Sequence, residues 1–244
     1  MRRSKQVLAS LGFMTLLATG CGGSGDQIQP KSTPLEVTPD VSESLSCAAV
    51  SGLSYQSQAG EWIIGQTDSL VDVKPHQIEP GRIDVSVPAP NEDPVVFQLI
   101  NDETVNDCWP ENTAYLSAHS LIGGQWMMDQ LSVPQTGARV GDRMLVQLTS
   151  QGETSVVQLR VQSVGVVSKE LMSDTAEIWR TESGRVVLMT SYDPCGSRDD
   201  VPSPADLTKL PLLELSDVSD GCQQFGSRAI EELSLVIEGY PAAL

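Results

Sequence analysis

Cysteine and histidine are the side chains best suited to ligate a metal or serve as nucleophile or base, and this sequence holds five of the first and two of the second. His76 and His119 lie far apart, and no two cysteines form a C-x-x-C pair, so no metal site is expected. Cys21 follows a short apolar run near the N-terminus, whereas Cys47, Cys108, Cys195 and Cys222 are spread along the chain. An even set of four in an exported protein suits two disulfides, and sequence alone allows three connectivities. We expect Cys195 with Cys222 and Cys47 with Cys108. The common signatures are missing: there is no G-x-S-x-G, S-x-x-K, H-E-x-x-H or G-x-x-x-x-G-K. One G-x-G-x-x-G stands at Gly20, Gly22 and Gly25, but it follows no strand, so it is not read as a nucleotide loop. No cofactor is expected.

The charge balance narrows the partners. With 15 Lys and Arg against 32 Asp and Glu in 244 residues, the formal charge is -17. Nucleic-acid binding rests on clustered basic residues, so nucleic acid is excluded as a partner. Arg2, Arg3 and Lys5 precede an uncharged apolar run from Val7 to Leu17, and Ala18-Thr19-Gly20-Cys21 follows. A basic start, a short apolar stretch and small residues at a cleavage point describe an export signal, and the run is too short for a permanent span. Residues 1–20 are read as that signal. Residues 21–45 are rich in Gly, Ser, Pro and Thr and read as a flexible tether. Residues 46–244 are long enough for one buried core.

Within that domain the hydrophobic period is two. Val157, Leu159 and Val161 alternate with Gln158, Arg160 and Gln162, and Ile83, Val85 and Val87 alternate with Asp84 and Ser86. Further β-rich runs stand at Val95 to Ile100, Ala114 to Ala118, Met144 to Thr149, Val186 to Thr190 and Leu233 to Ile237. Gly, Pro, Asn and Asp separate them, which points to an antiparallel sandwich or barrel. Helical turns are expected only near Pro204 to Leu210 and Ser227 to Glu232. Arg143, Arg160 and Arg185 read as outward strand positions.

The most informative stretch is Thr113 to Pro194. It contains Leu116-Ser117-Ala118-His119, then Val140-Gly141-Asp142, the strand at 155–167 followed by Ser168-Lys169, and finally Val187-Leu188-Met189-Thr190-Ser191. This order resembles the sortase family, particularly its exported actinobacterial class F type. The resemblance implies an all-β, closed antiparallel barrel of about eight strands, with short helices. It also implies a His, Cys and Arg site that transfers an acyl group from an extended peptide to a cell-wall or pilin amine. His119 falls on the family histidine. The family cysteine falls on Ser191, directly after Thr190. The family arginine is matched best by Arg228, just upstream of the last strand, with Arg198 as the alternative. The long segment between Ser191 and that strand reads as an inserted loop clipped by the bridge from Cys195 to Cys222. Leu17 to Cys21 resembles the lipobox of bacterial lipoproteins, which implies cleavage before Cys21, a lipid on its sulfur and an extracytoplasmic, membrane-anchored domain.

Serine at position 191 alters the chemistry. A thiol beside positive charge is partly ionised near neutral pH, whereas a serine hydroxyl needs an oriented base and donors for the oxyanion. Asp142, Asp193 and Asp199 are the carboxylates available to orient a base. Three readings stay open. The site is a sortase fold retained for binding a peptide or wall component, a serine-based acyl transferase, or a site completed by Cys195. If Cys21 carries the anchor, Cys21→Ala is expected to move the mature domain from the membrane fraction to the soluble fraction on fractionation. Undiminished retention would overturn the lipoprotein reading.

Overall fold

The computed structural model describes residues 47–78, 96–100, 108–119, 127–133, 136–196, 198, 200–203 and 206–242. The signal, the tether, Cys21 and the Ile83 to Val87 run lie outside them. In chain order the elements are β1 (Ala49–Gln56), β2 (Trp62–Ile64), β3 (Val71–Gln77), β4 (Val96–Ile100), β5 (Ala114–Ser117), β6 (Arg143–Ser150), β7 (Glu153–Ser168), α1 (Lys169–Met172), α2 (Ala176–Trp179), β8 (Val186–Ser191), β9 (Leu213–Glu214), α3 (Gly221–Phe225), α4 (Ala229–Glu232) and β10 (Leu233–Pro241). Single 3-10 segments occur at Met127–Ser132, Leu207–Lys209 and Leu215–Asp217. The helical turn expected from Pro204 to Leu210 is thus the short Leu207–Lys209 segment, and the one near Ser227 to Glu232 is α4.

Eight strands close into a barrel in the order β10-β8-β5-β4-β3-β1-β6-β7, and β7 pairs back onto β10. Strand β2 adds to β1, and β9 to β7. The barrel is mixed: β3 with β4 and β5 with β8 are parallel, and the other pairings are antiparallel. Parallel neighbours require a long crossover rather than a hairpin turn. Between β5 and β8 the crossover carries β6, β7, α1 and α2; between β3 and β4 it comprises residues 78–95.

Alternation places one face of each strand inward. On β7, Val157, Leu159 and Val161 are buried while Arg160 and Gln162 are exposed. From Val164 onward the strand is buried on both faces. Val164 and Val166 join the barrel interior with Leu53, Met144, Leu188 and Leu235, whereas Val167 joins an outer cluster with Met172, Ile178, Val187, Met189 and Val236. The outer cluster is what α1 and α2 cover.

Both bridges are present, Cys47 with Cys108 and Cys195 with Cys222. The first lies beside a two-way backbone pairing, Ala48 N to Trp109 O at 2.8 Å and Trp109 N to Ala48 O at 3.0 Å, which fixes the entry to β1. The second clips the segment between β8 and β10, where Tyr192 packs edge-on against Phe225 at 6.1 Å.

One sequence expectation is reversed. Arg185 is not an outward residue but is fully buried just before β8, at 0 % exposure. Its five N–H groups reach Glu238 Oε1 and Oε2 (2.6 and 3.3 Å) and the carbonyls of Ile178, Arg180 and Glu177 (2.9, 2.8 and 2.9 Å). A planar fork saturated in this way can be buried because every donor is satisfied. Arg185 therefore ties α2 to β10. Removing one partner of a buried pair strands the other, so Arg185→Ala is expected to cost about 3–5 kcal/mol, read from the urea midpoint. A loss below about 1 kcal/mol would mean that this clamp does not hold the helices.

Candidate functional site

Ser191 stands at the end of β8. Along β8, Val186 and Leu188 face the barrel interior and Val187 and Met189 face the outer cluster, so the alternation sets Ser191 on the outer face. Ser234 of β10 pairs with Ser191 on one side and with Val167 of β7 on the other. Lys169 follows two residues after Val167 and opens α1. One row across the sheet therefore joins the three strand ends.

Lys169 completes that row. Its Nζ lies 2.9 Å from Ser191 Oγ and 2.9 Å from the Ile230 carbonyl in α4. Its backbone is held by Ser168, which is fully buried and makes three bonds: Ser168 N to Leu210 O at 2.9 Å, Ser168 Oγ to Thr208 O at 2.6 Å, and Leu171 N to Ser168 Oγ at 3.1 Å. The last of these is a helix N-cap, which fixes where the turn starts and so where the lysine projects. Burial pushes the Lys169 amine below its ordinary value, and the nearby Glu231 charge opposes that shift.

His119 lies just past the end of β5. Strands β5 and β8 are parallel with Ser117 opposite Met189, and Ala118 N donates to Met189 O at 3.0 Å, extending the pairing by one residue. His119 follows directly after Ala118, beyond the last hydrogen bond between the two strands. The histidine is half-buried.

Both candidate arginines stand on the segment between β8 and β10. Arg228 is largely exposed at the start of α4 and pairs with Glu232 four residues on. Arg198 is exposed, with its backbone N–H on the Cys195 carbonyl at 3.3 Å. The sulfur of Cys195 is bonded to Cys222, so that residue offers no thiolate, and a site completed by Cys195 is excluded.

The carboxylates are also accounted for. Asp142 is buried and accepts from Tyr55 Oη (2.9 Å), Gln58 N (2.9 Å) and Arg139 N (2.8 Å), so it builds the turn into β6 and orients no base. Asp199 lies outside the described residues. Asp193, two residues beyond Ser191, accepts from Gly196 N at 3.0 Å through Oδ1, while its buried Oδ2 has no partner among the described residues. With Asp129 it lines a cavity of about 190 Å³. A larger cavity of about 380 Å³ borders the Ser191 backbone through Ser132 and Tyr192, and Arg139, Val164, Leu215 and Val218 also line it. Ser132 Oγ donates to the Ser191 carbonyl at 3.4 Å.

Sequence reasoning named His119 and Ser191 but passed over Lys169. Its one local signal is a Ser-Lys pair at the end of the longest β-run, a serine suited to cap a turn and a lysine placed just inside it. Nothing in that signal says which strand end the amine will face.

No family model matches the chain, and no curated protein matches it. Among solved structures, the fold is similar to the pilus-related sortase C of Group B Streptococcus, at 10% identity and a TM-score of 0.36, covering 88% of this chain and 77% of that one.

Asp193 gives a pH-dependent test of this corner. Burial pushes its carboxyl above the ordinary value, with the Asp129 charge adding to the effect and the Gly196 N–H opposing it. A carboxyl that holds its proton more tightly when folded stabilises the fold most below the unfolded pKa of about 3.9, and that contribution is lost as pH rises through the folded value. Relative to Asp193→Asn, the native protein is expected to lose stability as pH rises from the unfolded value of about 3.9 through the raised folded value, read as urea midpoints. A pH-independent difference would show that Asp193 titrates normally.

Proposed function

We propose that this protein is a lipid-anchored, extracytoplasmic, sortase-like peptide acyl transferase in which Ser191 replaces the family's nucleophilic cysteine. The observation that supports this reading is the parallel pairing of β5 with β8, whose register, continued two residues past Ser117, would bring His119 level with Ser191. The eight-stranded closed barrel and the two disulfides agree with it, the latter because such bridges persist in oxidising compartments outside the cytosol. No helix among the described residues is long and apolar enough to cross a membrane. An extended peptide would place its scissile carbonyl near Ser191 Oγ, with His119 exchanging a proton with the departing amine. The wall or pilin amine that the resemblance implies would then accept the acyl group.

A second reading has its own support. Arg228 is largely exposed and its guanidinium is paired with Glu232 four residues on. On that reading the domain keeps a groove for a peptide or a wall component and performs no chemistry.

The test concerns whether His119 and Ser191 share one cleft. In Ser191→Cys the new thiol is expected to alkylate with an onset well below the free-cysteine value of about 8.5, and adding His119→Ala is expected to move that onset upward. Alkylation rate against pH, with the native bridges intact, gives both numbers. A thiol that ignores His119 would remove the histidine from the site and favour the binding reading.

A further inference from the structure

Lys169 is a second ionisable group on Ser191, and neither the cysteine chemistry implied for this barrel nor its histidine explains it. We propose that Lys169 is the proton acceptor for Ser191, so that the two form a serine–lysine pair acting on an amide carbonyl of an extended peptide. The proposal rests on the reading of Ser191 as nucleophile and adds the base that a serine requires.

The geometry supplies what a base needs. The 2.9 Å separation of Nζ and Oγ is a hydrogen-bond distance, the first requirement for proton transfer. The bond from Nζ to the Ile230 carbonyl, also 2.9 Å, holds the amine from a second direction. Two N–H groups and one lone pair make up a neutral lysine. It can donate to Ile230 O and still accept the Ser191 proton, an arrangement the heavy-atom positions fit equally well. The Lys169 backbone is pinned by the buried Ser168 cap, so the amine does not depend on a mobile loop for its aim. Desolvation favours the neutral amine, the form that can act as a base, and Glu231 on α4 works against it.

The step balances without a co-reactant beyond peptide and acceptor. The Ser191 hydroxyl proton passes to Nζ as the Oγ–C bond forms on the peptide carbonyl. Collapse of the tetrahedral adduct breaks the C–N bond, and the departing amine takes the proton from Lys169, which on this proposal replaces His119 in that transfer. Water or a second amine then cleaves the ester, giving up its own proton by the same route and restoring Ser191 and neutral Lys169.

A purely structural lysine would serve equally well as a charged tie between α1 and α4, and the experiment separates the two roles. The mature chain is treated with a fluorophosphonate, which phosphorylates an activated serine oxygen with loss of fluoride, and the label is located by peptide mapping. Labelling at Ser191 is expected. Lys169→Ala and Lys169→Arg are each expected to slow it about 100-fold or more. The arginine variant keeps a donor for Ile230 O but cannot act as a base. Lys169→Cys, converted by bromoethylamine to a thioether analogue of lysine, is expected to recover labelling to within about tenfold, which a folding defect would not permit.

Near-native labelling of Lys169→Arg or Lys169→Ala would overturn the proposal, and so would an unlabelled native protein. The two readings fail separately. If the native serine is inert while the Ser191→Cys thiol still responds to His119, the cleft stands and the lysine is structural. If labelling depends on Lys169 while the thiol ignores His119, the serine–lysine pair stands and the histidine is not part of it.

Discussion

Strand β10 is hydrogen-bonded along both edges, to β7 from Leu233 to Pro241 and to β8 from Ser234 to Gly239, and the rest of the molecule depends on that double pairing. It closes the barrel, and it fixes the offset between β7 and β8, which are not themselves neighbours. A one-residue slip would turn each side chain to the opposite face. The slip would take Ser191 from the outer face to the barrel interior and carry the α1 turn away from the end of β8. The register that buries Val236 beneath α1 is thus the same one that brings Lys169 to Ser191.

Two buried or half-buried cations illustrate how burial is resolved in different ways. Arg185 has five donors and five acceptors, including both oxygens of Glu238. Its charge is matched, its position is fixed, and it serves the packing of α2 against the barrel. Lys169 has two neutral oxygens within reach of Nζ and only a more distant carboxylate, Glu231. An ammonium held by neutral acceptors loses more on leaving water than it regains, and giving up its proton relieves the imbalance. The first arrangement stabilises the fold, whereas the second leaves a group whose protonation can change.

The segment between β8 and β10 supplies the walls around Ser191. The Cys195 to Cys222 bridge holds its two ends together, Phe225 packs on Tyr192, and Ile230 offers the carbonyl that receives Lys169. Its short elements carry little stability of their own, because turns of four or five residues are unstable without packing. The bridge and the barrel wall supply that support. The same bridge withdraws Cys195 from thiol chemistry, and Ser191 Oγ stands 2.9 Å from Lys169 Nζ.

Much of this was legible in the sequence because it is written locally. The alternation of Val157, Leu159 and Val161 with polar neighbours identifies a half-buried strand, and an even set of four cysteines beyond Cys21 suits two bridges. The order of His119, the Gly141-Asp142 turn and Thr190-Ser191 also sufficed to anticipate a closed barrel. Tertiary structure decided what depends on non-local neighbours. Hydrophobic period does not distinguish parallel from antiparallel partners, so the parallel pairs β3–β4 and β5–β8 could not be read from it. Arg185 lies outside the strand alternation, and its burial follows from Glu238, a residue 53 positions away. Lys169 and Ser191 are 22 positions apart, on elements that meet only through β10. Their contact is a property of the barrel's register, which no local pattern encodes.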